Sequence, residues 1–114
     1  MSRLALLLTA LALSSTASAW DCEVQSAVVC ADGKCGTASS NIRITLDTGK
    51  STVFRCDSKG CDGIEVEMFT SGMMLNAVSG KSGYLIKINT TDGTFIEVAT
   101  QVTAAYIKSG ICKK

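Results

Sequence analysis

Six cysteines carry most of the reactive chemistry in this chain, which contains no histidine. They are Cys22, Cys30, Cys35, Cys56, Cys61 and Cys112. An even number of cysteines in a short exported chain reads as a disulfide framework rather than a set of nucleophiles. Zinc would call for C-x-x-C pairs or histidines, and neither occurs, so no metal and no cofactor are expected. The spacing suggests a pairing. Cys30 and Cys35 flank Ala31-Asp32-Gly33-Lys34, and Cys56 and Cys61 flank Asp57-Ser58-Lys59-Gly60. Each pair would close across the mouth of a hairpin, leaving Cys22 and Cys112 to tie the ends of the domain together. On the loop-entropy account that last closure contributes most, about 4–5 kcal/mol. A swapped pattern between the two hairpin pairs stays open, because spacing alone does not choose among connectivities.

The remaining chemistry is sparse. Without histidine the commonest general base is missing, and oxidised cysteines offer no thiolate. Glu65 and Glu67 stand two apart on a strand-like run, so they share one face while their apolar neighbours take the other. That reads as a solvated strand face and not as a glycosidase pair. Asp21, Asp32, Asp57 and Asp62 lie beside cysteines as ordinary turn acids. No loop has the spacing of oxygen ligands that a calcium site needs. Ser79 and Ser82 have no visible base. The chain therefore reads as a binding protein and not as an enzyme. Asn89-Thr90-Thr91 formally fits a glycosylation acceptor and is taken as an accidental match.

The ends set the compartment. Met1-Ser2-Arg3, an apolar run from Leu4 to Leu13 and a final Ala17-Ser18-Ala19 have the three parts of a secretory signal peptide. Residues 1–19 are assigned to it, and 20–114 to a single exported domain. The apolar run is too short to span a bilayer, and Cys22 is too far from the cleavage site to carry a lipid, so no membrane anchor is expected. The net charge of +1 falls to about zero once Arg3 is removed. A neutral domain lacks the basic field that nucleic acid or an anionic membrane surface would require.

What must position these groups is a set of strands. The chain has no proline, and short runs of period-two alternation are separated by glycine turns. Ile42, Ile44 and Leu46 take one side of Asn41–Asp47. Ile64, Val66 and Met68 alternate with Glu65 and Glu67. Tyr84, Ile86 and Ile88 oppose Lys87, and Ile96 and Val98 oppose Glu97. Thr91-Asp92-Gly93 is a strong hairpin signal. About eight such strands predict an all-β fold, a small antiparallel barrel stapled by disulfides, with a β-sandwich as the alternative. Eight strands enclose just enough space for side chains to fill, so the barrel should be solid and work through its loops.

One loop stands out. Ser79-Gly80-Lys81-Ser82-Gly83-Tyr84 joins two of these strands and is small, hydroxylic and glycine-rich. With the exported start and the cysteine near the C-terminus, this strand-loop-strand resembles the c-type lysozyme inhibitors of Gram-negative periplasms. That resemblance implies an eight-stranded antiparallel barrel, a periplasmic location and c-type lysozyme as the protein partner. It implies that Ser79 or Ser82 supplies the hydroxyl that enters the lysozyme cleft and that Gly80 and Gly83 permit close approach of the backbone. Tyr84 would brace the loop base, and Lys81 would face an ionised carboxylate. In the family a lysine precedes a glycine in the following hairpin; here that hairpin reads Asn89-Thr90-Thr91-Asp92-Gly93. Asp57, Asp62, Glu65 and Glu67 would steer a basic lysozyme towards the loop. The reading from another class is an exported structural or interaction module that pairs through a sheet edge.

Overall fold

In the computed structural model, which describes residues 19–114, the strands follow one another almost without interruption. They are β1 (Ala19–Ala31), β2 (Lys34–Thr37), β3 (Arg43–Asp47), β4 (Thr52–Asp57), β5 (Gly60–Glu65), β6 (Glu67–Ser71), β7 (Met74–Ser79), β8 (Tyr84–Asn89), β9 (Thr94–Thr100) and β10 (Ala104–Lys113). All described pairings are antiparallel. The sheet runs β5-β4-β3-β1-β10-β9-β8-β7-β6, with β2 set aside on β1. The signal-peptide reading falls on residues 1–18, outside the described residues, together with Ala19 at the start of β1.

The two ends of that sheet are consecutive in sequence. β5 and β6 are separated only by Val66, so the outermost strands are halves of one bent strand. The half before Val66 pairs with β4 and the half after it pairs with β7. Val66 turns its side chain into the core and donates its N–H to the Ser51 carbonyl at 3.0 Å. The antiparallel sheet thereby curls into a nearly closed barrel. Counting β5 and β6 as one strand and β2 as a side flap leaves eight staves. Segment by segment there are ten strands, because the bend and the flap carry no hydropathy signal of their own.

Alternation fills the interior. Ile44, Leu46, Val53, Ile86 and Ile88 are fully buried, and Trp20, Cys22, Val66, Ala77, Phe95 and Cys112 complete the core. On β9 the expected phase is reversed. Phe95 and Glu97 point inward, Glu97 with no exposed surface, while Ile96 remains 40% exposed. The register explains the reversal. Glu97 lies opposite Ile86, and Phe95 opposite Ile88, on the inward rows of β8. Period two cannot separate the faces when Phe95 and Ile96 are adjacent apolar residues. The interior is consequently not a purely apolar plug.

All three disulfides follow the suggested hairpin and end-to-end pairing: Cys22–Cys112, Cys30–Cys35 and Cys56–Cys61. Each joins residues directly opposite one another, across β1 and β10, β1 and β2, and β4 and β5. Three such bonds point to an oxidising compartment. No helix among the described residues is long and apolar enough to cross a membrane.

Candidate functional site

The β7–β8 hairpin closes at the pair Ser79 and Tyr84, so Gly80, Lys81, Ser82 and Gly83 form the loop at its tip. Two small devices fix its shape. The Ser82 N–H donates to Ser79 Oγ at 3.3 Å, and the Gly83 N–H donates to the Gly80 carbonyl at 3.3 Å. Gly83 adopts φ +62°, which L side chains avoid, and an added Cβ there would collide with Thr100 Oγ1. The carbonyl of Gly83 is in turn clamped twice by that one residue. Thr100 donates its N–H at 2.8 Å and its hydroxyl at 2.9 Å to Gly83 O. Thr100, the last residue of β9, thus holds the loop base from the neighbouring strand, a role its sequence position did not announce.

Below the clamp the barrel interior turns polar. Tyr84 is buried and donates its hydroxyl to Glu97 Oε2 at 2.5 Å. Arg55 reaches across the barrel from β4 with a two-pronged contact on the same carboxylate, Nε to Oε2 at 2.9 Å and Nη2 to Oε1 at 3.3 Å. Lys108 Nζ stands 3.9 Å from Oε1 and 5.5 Å from the centre of the Tyr106 ring. Glu97 is therefore neutralised by two cations and one hydroxyl, which a fully buried carboxylate needs. Burial, reinforced by the charge and hydrogen bond of Glu97, pushes the Tyr84 phenol far above its usual range. Burial also lowers the Lys108 ammonium, with Glu97 acting against that shift.

The expected site residues divide accordingly. Gly80, Lys81 and Ser82 are exposed, and Ser79 and Gly83 are half-buried. Tyr84 is 3% exposed, so it underpins the loop from inside rather than presenting a surface. Antiparallel alternation puts the Cys30–Cys35 and Cys56–Cys61 hairpins, and the β9–β10 turn, at the same end of the barrel as this loop. Asp57, Asp62, Glu65 and Glu67 are all exposed. The hairpin with Asn89 and Asp92 closes the opposite end of β8 and does not join the loop. Asp92 is held below its ordinary value by the Thr94 N–H, and next by the Thr94 hydroxyl. Residue types alone missed Arg55, Glu97 and Lys108. The only trace was a single carboxylate inside the apolar run Phe95-Ile96-Glu97-Val98.

No known family's profile matches the chain, and the chain matches no curated protein and no solved structure.

Proposed function

We propose that this protein is a periplasmic inhibitor of c-type lysozyme that acts by binding, inserting the Ser79–Tyr84 loop into the active-site cleft. The observation that carries the reading is the double clamp of Thr100 on the Gly83 carbonyl, which fixes the loop base while its tip stays exposed. A loop ordered before binding loses less conformational freedom when it enters a cleft.

The chemistry of the tip suits that target. A c-type lysozyme sets one protonated and one ionised carboxyl across its cleft. A serine hydroxyl can donate to one form and accept from the other. Ser79 Oγ already accepts the Ser82 N–H, which leaves the exposed Ser82 hydroxyl as the better candidate to reach outward. Lys81, exposed at the tip, would complement the ionised carboxylate with a charge-assisted bond worth roughly 1.5–3 kcal/mol once water is excluded. The exposed acids at the same end would speed encounter with a basic enzyme and would lose that effect in high salt.

The direct test titrates oxidised protein against c-type lysozyme acting on peptidoglycan, with a g-type lysozyme as control. Near-stoichiometric inhibition of the c-type enzyme alone is expected. Full activity of both enzymes at saturating protein would remove the reading and leave an interaction module of another kind.

A further inference from the structure

The bend at Val66 has a second consequence. β5 pairs with β4 on one side only. Among the described residues no strand pairs with its other edge. The Val66 N–H points to the Ser51 carbonyl on the β4 side. Main-chain direction alternates along an antiparallel strand. Gly63 and Glu65 therefore direct their N–H and C=O groups away from β4, along the open edge.

That edge is one wall of a groove. The opposite wall is the β7–β8 loop, and the lining includes Gly63, Glu65, Glu67, Val78, Ser79 and Lys81. The groove opens where β5 leaves the line of β6, which pairs with β7, at the Val66 bend. Natural sheets blunt a free edge with charged side chains, and the carboxylates of Asp62 and Glu65 do so against a second copy of β5; other devices are proline, lysine or a bulge. β5 has none of these others: its edge residues are Cys61, Asp62, Gly63, Ile64 and Glu65. The Cys56–Cys61 bond further fastens β5 to β4.

The charges on the β5–β6 side choose the occupant, since the cation Lys81 belongs to the opposite wall. Glu65 and Glu67 are exposed on the outward side, whereas Ile64 turns partly inward. A second copy of β5 would bring like charges together across the new pair, which is unfavourable. We propose that the free edge of β5 accepts an extended segment of a partner protein as an added strand. The segment is basic on its outward side, beside Glu65 and Glu67, and apolar on its inward side, against Ile64. Main-chain bonds to Gly63 and Glu65 supply the attachment and the alternate side chains supply the selectivity. This surface does not depend on the lysozyme reading, and its test contains no lysozyme.

The probe is a fluorescent peptide of alternating lysine and valine, titrated into the oxidised protein with amide NMR signals followed in parallel. Saturable binding is expected, with the largest shifts at Gly63 and Glu65. Methylating one of the two alternate sets of peptide amides should weaken binding about tenfold, the loss of roughly two main-chain bonds. A glutamate–valine peptide should bind at least as poorly, and Glu65→Lys should weaken the lysine–valine peptide without altering the thermal midpoint by more than a few degrees. Three results would each overturn the proposal: no saturable binding of the lysine–valine peptide, equal binding by both methylated versions, or shifts confined to residues outside the groove.

Discussion

The hairpins at the two ends of β8 solve the same geometric problem in opposite ways. At Asn89–Thr94 nearly every polar group is turned back on the protein. Asn89 Oδ1 accepts the N–H of Thr91 and of Asp92, and Asp92 Oδ1 accepts both the N–H and the hydroxyl of Thr94. Thr90 donates to the Met73 carbonyl through its N–H and its hydroxyl. Gly93 is buried against Cys112, whose N–H it accepts at 2.6 Å. At Ser79–Tyr84 the base is held as firmly, but from outside, by Thr100. The Lys81 ammonium and the Ser82 hydroxyl make no hydrogen bond among the described residues. One hairpin is a closed turn. The other has a fixed base and a tip left to solvent. The same strand therefore separates a structural end from a presenting end.

The largest effect should come from the pillar beneath the presenting end. Glu97→Ala strands Arg55 and Lys108 in the interior, and breaking a buried pair from one side costs about 3–5 kcal/mol. Urea unfolding measures this; a loss under about 1 kcal/mol would mean that the cations find other partners and that Glu97 is no pillar. The two glycines come next and test the contrast itself. Both have positive φ, +62° at Gly83 and +80° at Gly93, so alanine strains each by about 1–2 kcal/mol. At Gly93 the new Cβ also meets the Cys112 backbone carbonyl, which cannot step aside, whereas at Gly83 it meets the Thr100 side-chain hydroxyl. Gly93→Ala should therefore lower the thermal midpoint clearly more than Gly83→Ala. Equal losses would erase the distinction between the two ends.

Tyr84→Phe should cost about 2 kcal/mol at neutral pH, the worth of a buried bond to a charged acceptor. Its pH signature is more specific. The Tyr84 phenol is raised above its ordinary value of 10.0 in the folded protein. Its contribution is therefore complete below that pH and is lost above it, by up to about 1.4 kcal/mol per pH unit. Lys108 acts in the other sense. Its value is lowered from 10.5, so its contribution grows as pH rises towards that point. The phenylalanine variant lacks the tyrosine slope, so its stability should converge on that of the parent in strong alkali. Parallel curves would place the titrating group elsewhere.

Much of this was legible in the sequence, and the failures have physical causes. The cysteine spacing mapped onto directly opposed strand partners because four residues between thiols fit a hairpin mouth. Ile42, Ile44 and Leu46 showed their face because their outward neighbours are polar, and Ile86 and Ile88 showed theirs because Lys87 and Asn89 alternate with them. On β9 both faces are apolar around Glu97, so the pattern gave the wrong phase, and only the register against β8 restores it. The polar interior followed into invisibility, since Arg55, Glu97, Tyr84 and Lys108 come from four different strands. The seam was equally hidden. Ile64, Val66 and Met68 alternate correctly through the bend, so nothing in their order marks the change of partner from β4 to β7. The loop itself was visible by composition, but its clamp depends on Thr100, seventeen residues after Gly83.

The most direct test of the central claim compares double variants at the two ends of β8 in the c-type lysozyme titration. Lys81→Ala with Ser82→Ala removes the exposed tip, and Thr91→Ala with Asp92→Ala alters the closed turn. Inhibition should fall at least tenfold for the tip variant, about the worth of one charge-assisted bond, and stay within about twofold for the turn variant. Undiminished inhibition by the tip variant, or a loss confined to the turn variant, would contradict the account.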